Sequence, residues 1–214
     1  MRPIQVSVGP VGTISANNIA TSQTPAGAGA LTLNGSLVTN GIATLPTPQR
    51  VLITTTDTTT VFTLIGTTPT GSLLTETITN AGTSVYSTLD YATVTAIKVN
   101  QGTTAAVTVG TNGIASSPWV RFDEWANNNV SIQCTVSGTV NYTVQVTNDD
   151  PNSPTNPVTP SAVTWLPTND QNVVSATASS QSNFQFAPVF ARTLLNSGAG
   201  SVVTTFVQSG AVPY

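Results

Sequence analysis

Residues 60–79 read TVFTLIGTTPTGSLLTETIT, which is two β-branched runs on either side of a short polar segment. In the second run Leu74, Glu76 and Ile78 alternate with threonines, which is the period of two expected of a strand with one solvated face. The segment between the runs, GTTPTGS (66–72), has the composition of a hairpin turn. The stretch therefore predicts two antiparallel strands joined by a turn.

The same rhythm continues on both sides of this hairpin, at spacings of about ten residues that are typical of a sandwich or barrel. Threonine makes up about a fifth of the chain and suits a pleated surface. No helical period persists for ten residues. The predicted strands are 4–8, 30–33, 37–45, 50–56, 60–65, 73–79, 93–99, 105–109, 130–136, 140–147, 162–166, 184–195 and 201–208.

The composition changes near residue 118, where aromatic and charged residues follow a long threonine-rich region. We therefore predict an all-β protein of two antiparallel sandwich-like or barrel-like units, 1–117 and 118–214. The weakly periodic stretch ANNIATSQTPAGAGA (16–30) is either an extended arm on a partner subunit or a surface loop. The proline-rich stretch NDDPNSPTNPVTP (148–160) is predicted to be a long loop, because each proline removes a ladder donor.

Only 6% of the residues are charged, against 39% hydrophobic, and the net charge is −3. The five basic residues lie far apart, so no basic stripe is available for phosphates and nucleic-acid binding is not expected. No apolar run approaches the roughly 18 residues that a membrane helix needs. The start MRPIQVSV lacks a signal-peptide core and Cys134 is the single cysteine, which indicates folding in a cytoplasm.

The absence of histidine removes the commonest general base, triad member and zinc ligand. The adjacent acids Asp123 and Glu124 would point to opposite faces of a strand and could not flank one bond. We therefore expect no enzyme activity and no cofactor. The oxygen-rich turn at Asn148, Asp149, Asp150 and Asn152 could recruit Ca²⁺, or it could be an Asx turn of purely conformational origin.

Two further features remain as candidates. Cys134 lies in an alternating strand and is predicted to be a small buried hydrophobe. Aromatic and basic residues cluster at Trp119, Arg121, Phe122 and Trp125. This cluster is open to three interpretations: core packing, an oligomer contact, or a sugar-stacking platform.

Several phrases of the chain resemble a family of small virion structural proteins of tailed bacteriophages, which include capsid decoration and head-associated proteins. The phrases are TGSLLTETITNAGTS (70–84), YATVTAIKV (91–99), VTVGTNGIASSPWV (107–120), SGTVNYTVQVTNDDP (137–151) and the opening RPIQVSVGPVG (2–12). They are turn-and-strand phrases and carry no catalytic residues. The resemblance implies a component of a phage shell, tail or fibre that is assembled in many copies.

Composition and resemblance together predict a capsid decoration, or cement, protein on the surface of the phage head. Its expected partners are the major capsid protein or other virion proteins and further copies of itself, with a trimer favoured at local three-fold positions. A tail, head-to-tail or fibre-anchoring protein is the first alternative. A carbohydrate-binding or adhesin-like module is an alternative from a different class.

Overall fold

The computed structural model describes residues 3–79, 83–123, 126 and 129–208. It is nearly all β, with 52% of residues in strands and large antiparallel sheets, as the sequence predicts. In chain order the strands are β1 (Ile4–Val8), β2 (Ala20–Gln23), β3 (Gly29–Ala30), β4 (Val38–Thr39), β5 (Ile42–Thr54), β6 (Val61–Thr67), β7 (Leu73–Thr79), β8 (Ser84–Tyr86), β9 (Tyr91–Val99), β10 (Val107–Ser116), β11 (Val120–Arg121), β12 (Val130–Ser137), β13 (Asn141–Thr147), β14 (Leu166–Pro167), β15 (Ser180–Phe184), β16 (Phe190–Ser197) and β17 (Ser201–Gln208).

The chain divides into two compact units. The inserted unit is Val11–Ile114, and the flanking unit is formed by the residues up to Pro10 and those from Ala115 onward. The sequence prediction placed its boundary after residue 117 and assigned residues 1–10 to the N-terminal domain. In the structure β1 instead pairs along its length with β17, from Ile4↔Phe206 to Val8↔Val202.

In the inserted unit the strand order is β10-β5-β9-β6-β7, and the predicted hairpin of residues 60–79 is confirmed as β6 and β7. Its alternation places Phe62, Leu64 and Ile78 in the core, which is closed by Tyr91 and Ile97 of β9. The short strands β2, β3, β4 and β8 pair with β10, β9, β5 and β5. The stretch 16–30 is therefore folded onto its own unit through β2 and β3.

The flanking unit has two sheets, β1-β17-β12-β15 and one that contains β14-β13-β16. Alternation along β12 buries Val130, Ile132 and Cys134 and exposes the residues between them. The sheets meet at a hydrogen bond of 2.7 Å between the hydroxyls of Thr193 on β16 and Thr204 on β17. The core of this unit is therefore apolar with a few paired hydroxyls.

Two strand predictions in the flanking unit are wrong. The segment 162–166 is mostly irregular, since Pro160 begins a 3₁₀ turn over Pro160–Ala162 and only Leu166 joins a strand. The segment 184–195 is split into the end of β15 and the start of β16. Pro188 lies in the gap and cannot donate to a ladder.

The proline-rich stretch 148–159 contains no strand or helix, in agreement with the predicted loop. Among the described residues, no helix has the length and apolar character needed to cross a membrane.

Candidate functional site

The predicted aromatic cluster is part of a larger group of side chains on the flanking unit. Along β16, Ala191 and Thr193 face the core, so Phe190 and Arg192 lie on the opposite face of the sheet. Strand β16 pairs with β11 and β13, and β13 pairs with β14. These pairings bring further rings and the guanidinium group of Arg121 close to Phe190 and Arg192. We call this group the arginine–aromatic cluster, and its members are Trp119, Arg121, Trp165, Phe190 and Arg192.

The three rings of the cluster meet edge to face. The centroid of Trp119 lies 5.0 Å from that of Trp165, with 68° between the ring planes, and 5.9 Å from that of Phe190, with 65°. These are favourable geometries for aromatic pairs. Trp119 therefore packs edge to face against both of the other rings.

The two arginines of the cluster differ in burial. The Cζ atom of Arg192 lies 4.4 Å from the Trp165 ring centroid, and its Nε donates to Oε1 of Gln145 at 2.9 Å, while the residue is only 5% exposed. The Cζ atom of Arg121 lies 5.5 Å from the Phe190 centroid and its side chain is 43% exposed. A buried cation over a ring contributes more than an exposed one, because water competes less for it.

We therefore expect Arg192→Lys to lower the free energy of unfolding by about 1–2 kcal/mol, since lysine cannot keep both the planar stacking and the hydrogen bond. The matched Arg121→Lys variant should cost less than about 1 kcal/mol, as an exposed ion pair does. Urea unfolding of the two variants measures both. Equal losses would show that the burial of Arg192 does not set its contribution.

The other two predicted members of the cluster have separate outcomes. The Phe122 side chain is 2% exposed and lies in the core of the flanking unit, 5.6 Å from Phe206 and 6.0 Å from Phe184 between ring centroids. It is therefore not accessible to a ligand. Trp125 and its neighbour Glu124 lie outside the described residues.

The oxygen-rich turn uses both of its carboxylates within the protein. Asp150 accepts two hydrogen bonds from Arg121, at 3.1 and 2.9 Å, and one from the backbone N–H of Asn152 at 2.8 Å. Desolvation opposes its ionisation, but the Asn152 N–H and Arg121 hold the pKa of Asp150 below its usual range. Asp149 accepts from the Thr164 N–H at 2.7 Å. This arrangement is that of an Asx turn fixed by an ion pair.

A carboxylate that the sequence did not single out is heavily hydrogen-bonded within the inserted unit. Asp57, in the run TTTDTTT (54–60), is 2% exposed. Its two oxygens accept six bonds of 2.8–3.2 Å, from the backbone N–H and hydroxyl groups of Thr59, Thr60 and Thr104. The N–H groups of Thr104 and Thr59 are the largest causes that hold the pKa of Asp57 far below its usual range. We call these residues the Asp57 cage.

Other carboxylates are also engaged in structural contacts. Glu76 accepts from the N–H and hydroxyl of Thr88, at 2.7 and 2.8 Å, and Asp90 lies 3.6 Å from Arg50. Asp170 accepts from the Asn172 N–H, which holds its pKa below its usual range. None of the resolved shifts raises the pKa of a carboxyl group, as a general acid at neutral pH would require.

The remaining candidates carry no reactive group. Cys134 is 1% exposed, its Sγ lies 3.7 Å from the Thr204 hydroxyl, and burial raises the pKa of its thiol, which suits a packing role. Among the described residues, no three acids or cysteines come together in a group that could hold a metal ion. The site geometry is thus suited to packing and surface contact.

The sequence analysis did not identify Trp165, Phe190 and Arg192, which complete the cluster. Trp165 stands next to Leu166 at the start of β14, and only the pairing of β14 with β13 brings it to Trp119. The only sequence signal that could have pointed to Trp165 is that the chain has three tryptophans among very few charged residues.

Comparisons with protein-family models, with curated proteins and with solved structures gave no match to this chain.

Proposed function

We propose that this chain is a non-enzymatic structural protein of a bacteriophage virion, and that it decorates and cements the capsid. The observation that supports this most is how little charge the surface has. Only 6% of the residues are charged, and most of the described charged side chains make contacts within their own unit. The other exposed polar residues are mostly threonine, serine, asparagine and glutamine.

A neutral surface of this kind suits permanent contact with neighbours. Charged residues are depleted at the centre of protein interfaces, because burying a charge costs more than burying a hydroxyl or amide. Freely diffusing proteins generally keep a much more charged surface for solubility. The inserted unit also exposes large apolar side chains, among them Ile14, Leu73 and Tyr86. The resemblance to phage virion phrases supports the same proposal.

In this proposal the protein acts through the combined interface area of many copies bound across the capsid lattice. Each copy binds the major capsid protein or another virion protein across capsomer boundaries, and trimers occupy local three-fold positions. Many modest contacts, repeated over the lattice, then oppose the internal pressure of the packaged DNA. A tail or fibre-anchoring position would use the same surface with far fewer copies.

The cement role is tested by heating particles that carry the protein and particles stripped of it, and measuring DNA release with an intercalating dye. Cementing predicts release at a lower temperature from the stripped particles, with recovery when purified protein is added back. Identical release curves would exclude cementing and would leave the tail or fibre position as the virion alternative.

A further inference from the structure

A groove on the flanking unit has no part in the arginine–aromatic cluster or in the proposed cement function. It has a volume of about 650 Å³, in the range of small-molecule clefts. Its walls come from β14 and the residues after it, and from the end of β15 and the residues after it. All of its lining residues belong to the flanking unit.

Two apolar side chains of the groove are strongly exposed. Phe186 is 77% exposed and Leu166 is 61% exposed, which makes Phe186 the most exposed of the large hydrophobic residues in the described chain. Phe186 is in the segment between β15 and β16 and takes no part in the core. An aromatic ring held open beside a cleft presents a face of negative partial charge that attracts C–H groups of positive partial charge.

Neutral polar groups surround these two side chains. Asn169, Asn183 and Gln185 line the groove, and their amide groups make no hydrogen bond with other residues in the described part of the chain. Each amide supplies both donors and an acceptor, so adjacent hydroxyls of a ligand can bind in pairs. Asp170, also in the lining, is held at the start of a 3₁₀ turn by the Asn172 N–H and adds acceptor oxygens.

The charge of the lining narrows the class of ligand. It contains no lysine or arginine, and its one charged residue is the acid Asp170. Phosphate, nucleic acid and acidic polymers would therefore meet no cation and one negative charge. A ligand with many neutral hydroxyls and an apolar C–H face fits both the amides and the exposed ring.

We propose that this groove is a binding site for neutral oligosaccharides, with Phe186 stacking on the apolar face of a sugar ring and Asn169, Asn183 and Gln185 bonding its hydroxyls. The site is separate from the arginine–aromatic cluster, whose rings are packed edge to face. It is also independent of the cement function, which does not require a sugar ligand.

The test is titration calorimetry of the full chain with neutral oligosaccharides of glucose, mannose and N-acetylglucosamine at millimolar concentration. We expect at least one of them to bind. Phe186→Ala should weaken that binding by about tenfold or more, since an interface aromatic contributes at least about 1.4 kcal/mol. Gln185→Ala should weaken it less, and Phe186→Trp should retain it.

Leu73→Ala is the matched control, because it removes another strongly exposed apolar side chain, from the inserted unit, and should leave sugar binding unchanged. Thermal unfolding of each variant checks that it is folded. Absence of binding by every sugar, or binding that Phe186→Ala leaves intact, would overturn the proposal. Binding of a proline-rich peptide, lost in Phe186→Ala, with no sugar binding would reassign the groove to peptides.

Discussion

Gly66→Ala is expected to lower the free energy of unfolding by about 3 kcal/mol, because β6 and β9 approach each other too closely there for any side chain. Gly66 follows Phe62 and Leu64 on the buried face of β6, next to a register shift in the pairing with β9. A Cβ atom at this position would overlap the carbonyl oxygen of Thr93 and would lie 2.7 Å from Cδ1 of Tyr91. A backbone carbonyl in a paired strand cannot move aside without breaking the ladder.

Gly29→Ala is the matched control for this variant, since it lies in β3 of the same unit and an added Cβ would meet nothing within 4 Å. Alanine there should be neutral or slightly stabilising, because it reduces the freedom of the unfolded chain. Urea unfolding of both variants measures the difference. Equal midpoints would contradict the close approach of β6 to β9.

Asp57→Asn is expected to be the most damaging polar substitution in the described chain, with the thermal transition of the inserted unit lowered by roughly 10 °C. The amide keeps the shape of the carboxylate but replaces one acceptor oxygen with an N–H₂ donor. Whichever oxygen is replaced, that donor then faces at least one backbone N–H of the Asp57 cage, which would be left without an acceptor. The cage joins residues 57–60 to Thr104, so its loss frees two loops together.

The pH dependence of the wild type follows from the same group. The pKa of Asp57 is lowered in the folded state, so its contribution is complete above the pKa of the unfolded chain, about 4, and is lost as the pH falls toward the folded value. The lowered pKa values of Asp150 and Asp170 act in the same direction. Stability should therefore be nearly flat from pH 5 to 8.

Differential scanning calorimetry from pH 2 to 8 measures the loss of stability in Asp57→Asn and the pH dependence of the wild type. The gap between wild type and Asp57→Asn should narrow below about pH 4, because the unfolded wild-type chain then takes up a proton at Asp57 that the folded state does not bind. Asp149→Asn is the control, since the Asp149 carboxylate accepts a hydrogen bond from the Thr164 N–H at the protein surface, and the effect of its substitution should be much smaller. A gap that stays constant down to pH 2 would exclude an ionised Asp57 as the stabilising group.

The sequence predicts those features of the structure that depend on residues close together in the chain, and it does not predict those that depend on residues far apart. The hairpin of residues 60–79 is predictable because its alternation and its turn are local, and the all-β class follows from the same rhythm. The pairing of β1 with β17 is not, since Ile4 and Phe206 meet across almost the whole chain. The first residues belong to the flanking unit, and local composition could not have assigned them to it.

The candidate sites are also predictable only where their contacts are local in sequence. Trp119 and Arg121 stand out by composition, but their partners Trp165 and Phe190 come from other strands and depend on strand register. The Asp57 cage needs Thr104, 47 positions away, to close it. A groove of neutral amides beside Phe186 has no sequence motif at all, because no spacing rule connects its two walls.

The most direct test of the proposed structural role in the virion is to quantify this chain in purified phage particles and to locate it there by immunogold labelling. The proposal predicts many copies per particle, in a fixed ratio to the major capsid protein, with label over the whole head. Label confined to the tail or a single vertex would contradict decoration. Absence of the chain from intact particles would contradict a virion role altogether.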